Sequence, residues 1–153
     1  MKIEYKHGDL IKAPEFCLLH GCNAQGRMGS GVAKAIRTAF PEAYEEYRKK
    51  YKDNGLQVGE VVWAESNNKL IANGITQEFY GYDNKTYIDY DAINRVMETV
   101  HEAAKTYDFD VAMPLIGSKL GGGSWKKISG IIENVFTDIV PIVYTLDGII
   151  PEN

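Results

Sequence analysis

Apolar residues along this chain fall into two alternating patterns. Short, nearly continuous apolar runs are separated by longer stretches in which apolar residues recur every three or four positions. The first pattern is that of a strand buried on both faces, and the second that of an amphipathic helix. The plainest strand is residues 16–22 (FCLLHGC); the plainest helix is residues 89–107, where Ile93, Val96, Met97, Val100, Ala104 and Tyr107 predict one inward stripe. Asp89 or Asp91 is placed to cap it.

Around these two, further strands are predicted at residues 2–7, 59–64, 69–73, 111–114 and 139–146, and further helices at residues 32–39, 41–53 and 124–137. Pro41 suits a helix start, where its missing N–H costs nothing. Ser66-Asn67-Asn68 carries turn chemistry between two strands. In the last helix Ile128, Ile131, Ile132 and Val135 are expected to face inward. Strands alternating with helices predict an α/β protein, a three-layer α/β/α sandwich on a mixed, largely parallel sheet. With 153 residues and no linker, repeat or low-complexity stretch, the chain is expected to form a single domain over residues 1–153.

Composition narrows the function. The chain is 44% hydrophobic and 25% charged, with a net charge of −4. That balance fits a soluble protein and gives no sign of a polyanion-coating surface, so no nucleic-acid partner is expected. The start of the chain lacks a signal-peptide pattern, and no run is long and apolar enough for a bilayer, so no membrane partner and a cytoplasmic location are expected. Cys17 and Cys22 are five residues apart on one strand, which points them to opposite faces and argues for two reduced thiols. No His, Cys, Asp and Glu set has metal-ligand spacing, so neither metal nor cofactor is expected. A monomer is expected.

Two loops stand out. Residues 23–31 (NAQGRMGSG) and residues 116–123 (IGSKLGGG) each run from a strand into a helix. Glycine in such a place lets backbone N–H groups approach an anion, and the following helix N-terminus favours negative charge. Loops at the carboxyl ends of neighbouring strands are where open α/β sheets bind ligands. Neither is a Walker A motif, and Gly29-Ser30-Gly31 followed by Val32-Ala33-Lys34 is not GxGxxG. Together they predict a small phosphate-bearing ligand.

Gly8-Asp9-Leu10-Ile11, then LLHGCNAQGRMGSGVAKAI (residues 18–36), then MPLIGSKLGGGSW (residues 113–125) together resemble a macrodomain, over nearly the whole chain. The order and spacing are similar to the subgroup of ADP-ribose-1″-phosphate phosphatases and terminal ADP-ribose glycohydrolases. The resemblance implies that Asp9, flanked by Gly8 and Leu10, meets the adenine amino group and that Asn23 faces the distal ribose. It further implies that Met28, Gly29, Ser30, Gly31 and Val32 wrap that ribose and a phosphate. Gly117, Ser118, Lys119, Leu120, Gly121, Gly122 and Gly123 would cradle the diphosphate, and Tyr144 to Asp147, with Leu146, would line the adenosine side. The glycohydrolase branch carries a lysine and an aspartate where this chain has Gln77 and Gly121. His20 matches a histidine of the phosphatase-like members.

His20 and Asn23 are thus the catalytic candidates: His20 for proton transfer, its pKa being near neutrality, and Asn23 for holding a water or a ribose hydroxyl. The competing readings are a satisfied core histidine and a turn asparagine. Asp9 has an Asx turn as its alternative. Lys119 and Arg27 are either phosphate partners or solvated loop cations, and Tyr80, Tyr82, Tyr87 and Tyr90 either stack on a ring or cover the core. The expected activity is hydrolysis of ADP-ribose 1″-phosphate. The alternatives are removal of ADP-ribose from protein or nucleic acid, and a reader that binds ADP-ribose without chemistry.

Overall fold

The computed structural model describes residues 2–81, 83, 85–118 and 121–153. Lys119, Leu120 and Tyr82, singled out above, lie outside the described residues. Six strands form one sheet: β1 (Glu4–His7), β2 (Cys17–Asn23), β3 (Val61–Ser66), β4 (Lys69–Gln77), β5 (Val111–Met113) and β6 (Ile142–Thr145). Their order across the sheet is β1-β6-β5-β2-β4-β3. Every neighbour pair is parallel except β3 and β4, which form an antiparallel hairpin. The hairpin turns at Asn67 and Asn68, both at positive φ (48° and 64°), a conformation asparagine tolerates.

Helices α1 (Gly31–Ala39) and α2 (Pro41–Asn54) cover one face of the sheet. Helices α3 (Tyr90–Tyr107) and α4 (Trp125–Val135) cover the other. The architecture is the expected three-layer sandwich. Period-2 alternation along β2 sends Cys17 and Leu19 into the α3/α4 side of the core and Leu18 and Cys22 into the α1/α2 side, so the two thiols do lie on opposite faces. All four are buried, and each large apolar side chain removed from water contributes about 1.5–3 kcal/mol.

Helix α3 is capped by Asp89, whose side chain accepts from the Ala92 N–H. Its stripe is buried from Ile93 to Ala104, but Tyr107 is 76% exposed. The helix ends there, at a left-handed Asp108, so the last residue of the stripe sits on the final turn and stays in solvent. In α4, Ile128 and Ile132 are fully buried, while Ile131 and Val135 are only partly so.

Two local differences position the site. Strand β4 runs four residues past the sequence expectation, to Gln77, because it is paired along its length with β2, from Cys17 with Leu70 to Asn23 with Gln77. A single 3-10 turn, Leu10–Lys12, follows β1, started by Asp9, whose Oδ1 accepts the Ile11 N–H at 3.1 Å. No helix among the described residues is long and apolar enough to cross a membrane.

Candidate functional site

The two glycine-rich loops leave β2 and β5, which are paired neighbours, at their carboxyl ends. Hydrogen bonds tie the segment after β4 to both of them. The Ala24 N–H donates to the carbonyls of Gln77 and Glu78 (2.9 and 3.2 Å), and Gln25 Nε2 donates to the Glu78 carbonyl at 3.3 Å. At the far end the Tyr87 N–H donates to the Gly121 carbonyl at 2.7 Å, and the Thr86 hydroxyl donates to that of Gly122 at 3.2 Å. Both ends of the segment leaving β4 are therefore tied, one to each loop.

Gln77 and Gly121, the positions where the resemblance leads one to look for a lysine and an aspartate, are close in space. A Cβ on Gly121 would lie 3.2 Å from Gln77 Oε1. The sequence did not signal this meeting, because it depends on β4 continuing to Gln77. Neither residue ionises, and Gln77 Nε2 donates to the Phe79 carbonyl at 2.6 Å.

In the first loop Gly29 is exposed and has no atom within 4 Å of the place its Cβ would occupy. Gly31 starts α1 at φ 59°. Ser30 and Val32 are half-buried, but Met28 is 1% exposed, so it packs in the core beside Tyr47 and Ile75 and offers a ligand almost no surface. In the second loop, an added Cβ would clash with Ile88 and the Gly117 carbonyl oxygen on Gly121 and on Gly123, and with the Lys85 carbonyl on Gly122. Those three glycines are demanded by close packing of residues 85–88, independently of any ligand. Gly117, at φ 76°, closes the loop by accepting the Gly123 N–H at 2.8 Å, and the Ser118 hydroxyl donates to the Leu115 carbonyl at 2.9 Å.

At the carboxyl end of β1, Gly8 lies over the Tyr144 ring, 3.6 Å from a would-be Cβ. Tyr144 itself is 8% exposed, and its hydroxyl donates to Glu15 Oε1 at 2.6 Å; burial first, then that carboxylate, pushes its phenol pKa up. Leu10 is buried in the core and Leu146 is exposed. Tyr144 and Leu10 therefore offer a ligand little side-chain surface.

The two catalytic candidates are held differently from the sequence expectation. His20 is 1% exposed, on the α1/α2 side of β2, with Nε2 2.6 Å from Asn73 Oδ1. Asn73 Nδ2 donates to the Ala43 carbonyl at 3.1 Å, so its Oδ1 is the acceptor and the imidazole donates from Nε2. Burial, against the smaller opposing effect of Asn73, lowers the His20 pKa to about 4. Placed so, His20 is a neutral core residue and does not reach the glycine loops' open surface. Asn23 does lie on the first loop, but its amide is engaged in closing it. Oδ1 accepts from the Gln25 N–H (3.0 Å) and lies 3.0 Å from the Tyr47 hydroxyl oxygen, whose proton goes to the Asn23 main-chain carbonyl, and Nδ2 donates to the Arg27 carbonyl at 2.9 Å. A carboxamide nitrogen has two N–H donors, so one remains for a ligand.

A model of the macro domain family matches residues 19–132, a span that holds both glycine-rich loops. The chain belongs to the macro domain family. Across 149 residues this macro domain is 30% identical to the ADP-ribose glycohydrolase OARD1 of Bos taurus, covering 95% of the chain and 92% of the relative. It is 27% identical to the DNA ADP-ribosyl glycohydrolase of Mycobacterium bovis over 95% of the chain but only 43% of the relative, so it spans less than half of that protein. A shorter stretch of 48 residues, 31% of the chain and 24% of the relative, is 46% identical to an ADP-ribose 1″-phosphate phosphatase of Neosartorya fischeri. Among solved structures, a macrodomain protein from Streptomyces coelicolor superposes with a TM-score of 0.78 at 27% identity, covering 94% of this chain and 99% of that one.

Proposed function

We propose that this macro domain binds ADP-ribose derivatives and hydrolyses the phosphate of ADP-ribose 1″-phosphate. The observation that carries the reading is that two strand-to-helix glycine loops at neighbouring strand ends are tied to the same segment after β4, the first at Gln77 and Glu78 and the second at Thr86 and Tyr87. In the binding pose, Asp9 takes the adenine amino group, the N–H groups of the second loop take the diphosphate, and those of Gly29 to Val32 take the distal ribose and the 1″-phosphate. Relatives named for acting on ADP-ribose and its 1″-phosphate support the ligand class.

With His20 sealed in the core and Gln77 facing Gly121, the chemistry rests on placement. Backbone N–H groups fixed around the 1″-phosphate stabilise charge building on its oxygens while water attacks phosphorus and the ribose hydroxyl leaves. The remaining N–H of Asn23 orients that water or the 2″ hydroxyl. Such a site turns over slowly.

The burial of His20 specifically favours a second reading, a non-catalytic reader of ADP-ribose. Incubating the protein with ADP-ribose 1″-phosphate, with a mono-ADP-ribosylated protein and with an ADP-ribosylated oligonucleotide separates the readings. Phosphate release supports the first. Binding without any product supports the reader, and release of ADP-ribose from a conjugate replaces both with glycohydrolase activity. No ADP-ribose binding at all removes the ligand class.

A further inference from the structure

The first glycine loop is wound around a side chain that belongs to another element. Tyr47, on α2, is fully buried, yet its hydroxyl donates to the main-chain carbonyl of Asn23 at 2.6 Å and lies 3.0 Å from Asn23 Oδ1. A phenol has one proton to give, and here it goes to the Asn23 carbonyl, while Asn23 Oδ1 beside it accepts the N–H groups of Gln25 (3.0 Å) and Arg27 (3.4 Å). One position further along α2, Arg48 Nη1 donates to the Gly26 carbonyl at 3.0 Å and seals the loop from outside.

The arrangement divides the loop into two parts. From Asn23 to Arg27 the backbone is already engaged: the Asn23 carbonyl by Tyr47, the Ala24 N–H by Gln77 and Glu78, the Gly26 carbonyl by Arg48, and the Gln25 and Arg27 N–H groups and the Arg27 carbonyl by the Asn23 amide. From Gly29 onward the surroundings change: Gly29 has open space beside it and α1 begins at Gly31. An anion at this loop is therefore met by N–H groups beginning at Gly29, not by those of Ala24, Gln25 and Arg27.

We propose that Tyr47 is the positioning residue of the first loop, its buried hydroxyl fixing the height at which Gly29 to Val32 meet the ligand's distal ribose and phosphate. Removing that hydroxyl leaves the Asn23 carbonyl without its donor and takes away the contact that holds the Asn23 amide, and the loop must rearrange to satisfy them. The proposal rests on the ADP-ribose reading above, and it implies selectivity. A ligand that stops before the distal ribose does not touch the part of the site that Tyr47 sets.

The test is calorimetric titration of the parent and Tyr47→Phe with ADP-ribose and with AMP, which lacks the distal ribose. The expected result is an ADP-ribose Kd raised about tenfold, the loss of one buried hydrogen-bond hub, with the AMP Kd unchanged. Unchanged ADP-ribose affinity, or an equal loss for both ligands, overturns the proposal; the equal loss marks Tyr47 as a general structural residue. Amide hydrogen exchange supplies the second measurement. The Gln25 and Arg27 N–H groups, which donate to the Asn23 amide that Tyr47 holds, should exchange slowly in the parent and selectively faster in Tyr47→Phe. Fast exchange in the folded parent overturns the hub, even if Tyr47→Phe fails to fold or if the parent binds no ADP-ribose. That last outcome alone retires the ligand reading.

Discussion

His20 and Asn73 are register partners on β2 and β4, and their side chains meet on the α1/α2 side of the sheet, Nε2 to Oδ1 at 2.6 Å. The contact locks a polar pair in the core, with Ala43 as its anchor on α2. His20→Ala should therefore behave as a core mutation. Asn73 Oδ1 loses its donor, at a cost of about 1–3 kcal/mol, and the melting temperature falls. Turnover per folded molecule, on whichever substrate the parent consumes, should be preserved. A rate loss of about 10²-fold or more at unchanged stability would restore His20 as a proton-transfer group.

The same pair predicts a pH dependence of stability. Burial lowers the folded-state pKa of His20 from 6.5 to about 4, so between those values the unfolded chain binds a proton that the folded chain refuses. Stability is fully present above pH 6.5 and falls as pH drops toward 4, with a slope approaching about 1.4 kcal/mol per pH unit from this one group. Asp138, held below the usual carboxylate range first by its hydrogen bond to His101, adds to the loss at still lower pH. Denaturant melts of the parent and His20→Gln at pH 7.5 and 5 should show a smaller pH effect in the variant. Equal effects would place the acid sensitivity elsewhere.

The two loops should respond oppositely to a side chain on glycine. Gly29→Glu has room in the folded protein, so the melting temperature should hold while ADP-ribose binding is abolished, since a carboxylate fills the ligand's space and repels its phosphates. Gly121→Ala should destabilise the fold instead, because its methyl would clash with Ile88 and the Gly117 carbonyl oxygen. Retained affinity in Gly29→Glu would remove the first loop from the binding site.

Asp9 combines a structural contact with an expected binding role. Asp9→Ala should weaken adenine-containing ligands about ten- to a hundredfold, the range of about 1.5–3 kcal/mol for a hydrogen bond to a charged group. Asp9→Asn keeps an oxygen for the Ile11 N–H while losing the charge. If Asp9→Asn binds like the parent and Asp9→Ala does not, the side chain acts through the turn; if both bind like the parent, it has no part in adenine recognition.

Much of this protein is decided locally, and local decisions are legible in sequence. The period-2 and period-3.6 patterns place every strand and helix to within a few residues, because each element must present one apolar face or run to the core. Asp89, Pro41 and the Asn67-Asn68 pair mark ends and turns by their own backbone chemistry. Both glycine loops, and the sandwich that holds them, follow from the same reading. Tertiary structure decided the rest, because it depends on residues distant in the chain. Only the pairing of β4 with β2 carries the strand to Gln77 and brings that residue to Gly121. Only the packing of residues 85–88 explains Gly121 to Gly123, and only the arrival of α2 behind the first loop commits Asn23 to Tyr47. His20 looks the same in sequence whether it faces a cleft or a core. Its place is set by Asn73 and Ala43, 53 and 23 residues further along the chain, and its neutral state by burial, which exists only once the sheet and α2 have closed over it.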